Sequence, residues 1–286
     1  MMLSPHLRRK QSSWGDLLET TKTDLTSVLR ERQTLSARIS KNCEIVTGYA
    51  ASLSAEDICS QYLSYLSEKY AFRKLLLERD SRCLDLASRR VRLLDNSSDD
   101  AELERRGHLI LLFHFGRYLE AMLLVLKQAK TSVIWAGRRQ SDDETYQSFL
   151  SFVKDDLTSE WQNTFADILT SLCAGKTVLL APDSANFHID ERNKPYKIGN
   201  MRVLFDEATD IFIERSNCKV SCLFFEGVGS EVETAMLRRV NLKSKSEGLQ
   251  EALDECMAEQ LIRYPWKWDR LKYLHLILSK DSEGGS

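Results

Sequence analysis

The stretch His108-Leu109-Ile110-Leu111-Leu112-Phe113-His114-Phe115-Gly116-Arg117-Tyr118-Leu119-Glu120 holds the change of pattern that decides the fold. Residues 108–113 are a short apolar run, as a buried strand requires, and from residue 116 to 130 the apolar positions return at helical spacing. The same grammar repeats downstream. Residues 131–136, 176–181 (ended by Pro182) and 219–225 read as further strands. Helical spacing covers 144–173, 201–216 (Leu204, Ala208, Ile211, Phe212, Arg215) and 248–263, and Pro265 opens a last helical piece. Strands alternating with helices predict an α/β fold: a mostly parallel central sheet flanked by helices.

Upstream the pattern is helical only. Leu18, Leu25, Val28, Leu29, Leu35 and Ile39 recur at helical spacing, and Ser54-Ala55-Glu56-Asp57 is a capping-box pattern opening a second helical stretch that runs, in one or two pieces, to Leu94. Asp95-Asn96-Ser97-Ser98-Asp99-Asp100 is a polar break. The expected organisation is a loose tail at 1–12, a helical segment at 13–95, an α/β domain at 101–280 and a Ser/Gly tail at 281–286.

Composition narrows the function classes. The 286 residues carry 40 basic and 42 acidic side chains, so no net field favours nucleic acid or an anionic surface. The richest apolar run, 109–126, is interrupted by His114, Arg117 and Glu120, which excludes a lipid-spanning helix there. The basic start Leu7-Arg8-Arg9-Lys10 has no apolar run after it and does not read as a secretory signal. Seven cysteines, with no C-x-x-C pair and no zinc spacing, read as free thiols of a reducing compartment, and no metal site is expected. A dinucleotide fingerprint at Gly227-Val228-Gly229 fails because position 232 is Val232, and there is no Walker-A loop or Gly-x-Ser-x-Gly elbow.

His114 stands at a predicted strand end, where ligands of α/β proteins collect. An imidazole there, steadied by a carboxylate that accepts its N–H, is a general base, and Glu120 is the nearby downstream acid. The segment from His114 to Glu120 resembles the histidine–carboxylate motif of the lipid A late acyltransferases (His-hydrophobic-Gly-Asn-Trp-Glu), members of the lysophospholipid acyltransferase superfamily. The resemblance continues in order. Val133-Ile134-Trp135-Ala136-Gly137-Arg138 is similar to the strand ending in arginine. Gly175-Lys176-Thr177-Val178-Leu179-Leu180-Ala181-Pro182-Asp183-Ser184 is similar to the Pro-Asp-Gln segment. Tyr196-Lys197-Ile198-Gly199, Cys218-Lys219-Val220-Ser221-Cys222-Leu223-Phe224-Phe225 and Arg263-Tyr264-Pro265-Trp266-Lys267-Trp268-Asp269-Arg270 fall in the family's later positions. The departures are local. Five residues rather than four separate His114 from Glu120, Arg117-Tyr118 replaces Asn-Trp, Ser184 replaces Gln, and a helical segment stands where the family has a membrane anchor. On a regular helix one extra residue turns Glu120 by about 100°. A bulge or altered turn therefore absorbs the insertion, or the dyad is broken.

The resemblance implies a glycerol-phosphate-acyltransferase-like fold and transfer of a fatty acyl group from an acyl carrier protein or coenzyme A thioester to a hydroxyl or amine. The acceptor would be a lipid or sugar. It implies His114 as general base with Glu120 orienting it. Arg138, Arg139, Arg117 and Asp183 would serve as oxyanion or substrate contacts, and Phe113, Phe115, Leu119 and Leu123 would line an acyl pocket. No bound cofactor, no nucleic acid and a cytoplasmic site of action, on the inner face of the membrane if peripheral, go with it. Two other readings stand beside it. One is a non-catalytic member of the fold that binds an acyl chain or carrier protein. The other is a helical interaction protein acting through its amino-terminal hundred residues.

Overall fold

A computed structural model describes residues 13–31, 33–47, 53–95, 107–128, 133–136, 160–162, 164–184, 193–227 and 230–274. The amino-terminal part forms α1 (Trp14–Glu31), α2 (Gln33–Thr47), α3 (Ala55–Leu77) and α4 (Arg82–Arg90), then enters strand β1 (Val91–Asp95). There follow β2 (His108–Leu111), α5 (Tyr118–Gln128), β3 (Val133–Ala136), β4 (Glu160–Gln162), α6 (Phe165–Cys173) and β5 (Thr177–Leu180). The remainder is β6 (Asn193–Ile198), β7 (Met201–Asp206), α7 (Ala208–Ser216), β8 (Lys219–Glu226), β9 (Glu233–Arg239), α8 (Gly248–Cys256) and α9 (Ala258–Arg263). Short 3-10 turns at Pro182–Ser184, Lys245–Glu247, Pro265–Lys267 and Asp269–Tyr273 complete the described elements.

The fold class is the expected one. Seven strands form a sheet in the order β1-β9-β8-β2-β5-β3-β4. Every neighbouring pair is parallel except β8 with β9. The apolar run at 108–113 becomes β2 at the centre, flanked by β8 and β5. Leu109, Ile110 and Leu111 are buried, each contributing about 1.5–3 kcal/mol by burial. Helix α5 leaves from the same strand end and is buried along most of its length, from Tyr118 to Leu124. Ser54 caps α3: its hydroxyl accepts from the Asp57 N–H at 3.1 Å and donates to Asp57 Oδ2 at 2.7 Å. None of the described helices is long and apolar enough to cross a membrane.

Three expectations are corrected. Within the stretch read as helical at 144–173, residues 160–162 form strand β4, paired in parallel with β3. Residues 201–216 are not one helix: 201–206 form β7, paired antiparallel with β6 through a turn at Gly199, whose φ is +60°. The burial of Met201, Val203 and Phe205 alternates with more exposed neighbours, a period of two that the chance spacing of Leu204, Ala208 and Ile211 concealed. The helical segment before residue 95 also ends differently. Residues 91–95 are extended and pair in parallel with β9, so the amino-terminal part supplies an edge strand of the sheet itself. The expected tail at 1–12, the polar break at 96–100 and the tail at 281–286 lie outside the described residues.

Candidate active site

The site begins as a matter of register. Strands β2 and β5 are parallel neighbours with Leu111 opposite Leu180, and the ladder runs one step further through Leu112 N–H to Leu180 O at 2.9 Å. His114 and Asp183 each lie three residues beyond those paired leucines, so the two chain ends deliver them to the same spot. There the His114 Nδ1–H donates to Asp183 Oδ1 at 2.7 Å, and the His114 backbone N–H donates to Oδ2 at 2.9 Å. Trp268 adds its indole N–H to Oδ2 at 3.0 Å. With three donors on two oxygens the carboxylate has one orientation, and it fixes the imidazole tautomer with Nε2 free of hydrogen. Gly116, at φ +58°, turns the chain into α5; a Cβ there would press on Glu233 Oε2 at 3.1 Å and the Phe225 ring at 3.2 Å.

The carboxy-terminal segment closes over this turn. Gly116 N–H donates to Lys267 O at 3.0 Å, Asp269 N–H to His114 O at 2.8 Å, and Phe115 bridges Trp268. Arg270, next in sequence, brings Nη2 to 3.3 Å from both ring nitrogens of His114, while its buried Nε has no hydrogen-bond partner among the described residues. The Tyr118 ring meets the imidazole edge-on at 4.8 Å between centroids. Asp269 turns the other way and binds Lys69 Nζ at 2.6 Å, with Lys272 Nζ at 3.5 Å.

The electrostatics suit a base. The His114 side chain is 15% exposed and Asp183 is fully buried. Burial, and next the Arg270 charge, hold the imidazole below its usual pKa of 6.5, against the pull of Asp183. Burial works to raise the Asp183 carboxyl, but the His114 ring and Arg270 outweigh it and leave it below the usual carboxylate range. The pair therefore rests as neutral imidazole and ionised carboxylate. Asp269 is held far below that range: burial opposes, and Lys69, Lys272 and Arg270 prevail. Burial brings Lys69 down to about 8.

Glu120 is not the acid of His114. It is buried on the far side of the turn, where Arg90 Nη1 donates to Oε1 at 2.9 Å. Arg90 also pairs with Glu68. The physical reason is the extra residue in the motif: with α5 regular from Tyr118, Glu120 points towards α4 rather than the imidazole. Arg117 is drawn into that second network, not to the histidine. Its N–H donates to Glu233 Oε2 at 3.1 Å, and its Nη1 donates to the carbonyls of Glu231 at 2.7 Å and Arg90 at 3.1 Å. Burial raises the Glu120 carboxyl, with Arg90 opposing. Phe113, Phe115, Leu119 and Leu123 are all buried core residues. Arg138 and Arg139 lie outside the described residues. Among the described residues no three His, Cys, Asp or Glu side chains gather as a metal would need.

Sequence reasoning missed Trp268, Arg270 and Lys69 as neighbours of the site. One signal was available: a buried indole N–H must find an acceptor, and Trp268 follows a proline turn near the chain's basic end.

No family model matches the chain, and no curated protein does either. Among solved structures it is similar to the 1-acyl-sn-glycerophosphate (LPA) acyltransferase PlsC from Thermotoga maritima. The identity is 10%, over 84% of this chain and 92% of that one, with a TM-score of 0.37.

Proposed function

We propose that the chain is an acyltransferase that moves a fatty acyl group from an acyl carrier protein or coenzyme A thioester to a hydroxyl, or an amine, of a lipid or sugar acceptor. The observation that carries this reading is the 2.7 Å bond between His114 Nδ1 and a buried, fully oriented Asp183. With Nδ1–H committed to Asp183, Nε2 takes the acceptor proton as the oxygen attacks the thioester carbonyl, a role worth roughly 10²–10⁴ in rate. The imidazolium, stabilised by Asp183, returns that proton to the departing thiolate. Arg270 is the guanidinium beside the ring and is suited to steady the developing oxyanion once it yields Nε2 to the acceptor. Arg138 and Arg139 remain proposed for the same work. The ordered series of motifs that resembles the lipid A late acyltransferases supports the reading, with Asp183 in place of Glu120 as the orienting acid. Action at the inner membrane face goes with a lipid acceptor.

The test is transfer from radiolabelled acyl-carrier-protein and acyl-coenzyme A donors to a panel of lipid and sugar acceptors. Turnover that disappears in His114→Ala, with an unchanged far-UV spectrum, supports the proposal; turnover that survives in that variant overturns it. The second reading is a non-catalytic acyl-chain or carrier-protein binder. It is favoured by Arg270 standing against Nε2 and by the burial of Phe113, Phe115, Leu119 and Leu123. It predicts donor binding with no transfer to any acceptor.

A further inference from the structure

Helix α3 meets the site's closing segment along one face. Tyr62, Tyr65 and Lys69 fall at i, i+3 and i+7 and so line one stripe of the helix. The Tyr62 hydroxyl donates to Asp269 O at 3.0 Å and accepts from Lys272 N–H at 3.3 Å. The Tyr65 ring has Lys267 Nζ 5.5 Å from its centroid. Lys69 is the charged member of the stripe. Its side chain is 10% exposed, and Nζ lies 2.6 Å from Asp269 Oδ1. The same Nζ stands 5.6 Å from the centroid of the Tyr118 ring, whose neighbour on the other side is the His114 imidazole.

We propose that Lys69 is a positioning residue: by binding the Asp269 carboxylate it fixes the backbone at 269–270 so that Arg270 stands against the His114 ring. Asp269 is held at three points, its side chain by Lys69, its carbonyl by Tyr62 and its N–H by the His114 carbonyl. Arg270 follows it directly. Among the described residues the hydrogen bonds of the Arg270 guanidinium are the two at 3.3 Å to the imidazole, so no carboxylate bonds it in place and its aim depends on where its backbone is held. The ion pair suits orientation better than strength. A buried pair often contributes no more stability than apolar residues of the same volume, but its geometry is specific. Burial works against the ammonium and brings it down to about 8, with Asp269 pulling the other way. The amino-terminal helices thus reach the site through one lysine, and only the kinetic consequence of this rests on the acyl-transfer reading.

The experiment reads the His114 ring directly, by NMR titration of its Cε1–H signal, identified by its loss in His114→Ala. The charged and titratable groups facing that ring are Asp183 from the turn after β5, Tyr118 from α5, and Asp269 and Arg270 from the closing segment. Arg270 holds the midpoint down while the two carboxylates pull it up, so releasing Arg270 raises it. Arg270→Met and Lys69→Met should each raise the midpoint by about 0.5–1 pH unit. Lys69→Met should add nothing further in the Arg270→Met background. An unmoved midpoint in Lys69→Met, or a rise that persists at full size without Arg270, overturns the positioning role. The unmutated chain supplies a second measurement if a variant does not fold. Lys69 faces Asp269, Arg270 and Lys272 of the closing segment, Tyr70 of α3 and Tyr118 of α5, and loses its proton at about 8. The Arg270 Nε resonance should move through that midpoint, and a resonance constant from about pH 7 to about pH 9.5 overturns the proposal. In transfer assays Lys69→Met should lower kcat about 10–100-fold with KM nearly unchanged. A kcat like the parent's, in a chain whose turnover needs His114, overturns it. Turnover that survives His114→Ala overturns the reaction and not the positioning, which the titrations decide.

Discussion

Two buried carboxylates flank the turn after β2, Glu120 in α5 and Asp183 in the turn after β5, and they have opposite fates. Asp183 meets an imidazole, an indole N–H and a backbone N–H, and keeps its charge while leaving the imidazole neutral. Glu120 meets the guanidinium of Arg90, itself shared with Glu68, in a network that satisfies its own charges. The first arrangement leaves one ring nitrogen able to accept a proton from outside; the second commits the Glu120 carboxylate to Arg90. Proximity in sequence favours Glu120 as the acid of the histidine, whereas proximity in the sheet favours Asp183, and the sheet prevails.

Breaking the two clusters separately should show the difference. His114→Ala and Asp183→Asn should each lower acyl transfer about 10²–10⁴-fold. Glu120→Gln, measured per folded molecule in the same assay, should stay within about threefold of the parent, and the reverse ranking would sink the comparison. In denaturant, Glu120→Ala should cost about 2–4 kcal/mol, because Arg90 keeps Glu68 but loses its buried partner. Trp268→Phe, which removes one donor to an ionised carboxylate, should cost about 1.5–3 kcal/mol in the same titration. The smallest effects sharpen the comparison through pH. Because His114 is held below 6.5, the acid limb of kcat/KM should fall below pH 6.5, not above it. Asp269, held far below the usual carboxylate range, contributes stability that is complete above about pH 4 and fades as pH falls below that. Melting curves of Asp269→Asn should therefore be flatter across the acid range than those of the parent.

Much of the fold was legible because it rests on local pattern. The apolar run at 108–113 reads as a buried strand and supplies β2, and the helical spacing read from 116 becomes α5, entered through a turn at Gly116. The four strands expected at 108–113, 131–136, 176–181 and 219–225 all lie in the sheet. What escaped notice was pairing at a distance. Strands β1 and β9 stabilise one another along a shared edge, and neither announces itself alone. In β7 a two-residue period was masked by leucine and alanine at helical intervals. The site shows the same division. His114 and Asp183 were each visible as polar residues at strand ends, but their meeting depends on β5 lying beside β2, with β3 displaced to its other side. No spacing within one segment records that order. Arg90 and Glu120, thirty residues apart, could not be matched from sequence for the same reason.

The bridge between Phe115 and Trp268 has a consequence for how the molecule comes into being. A nascent chain emerging from the ribosome could complete β2, β5 and β8 and still have its histidine turn open on one face, since Lys267, Trp268 and Asp269 supply the covering contacts. Assembly of the histidine turn thus waits until residues 267–269 have been made and have returned to the middle of the sheet. Contacts of such long sequence separation are slow to form.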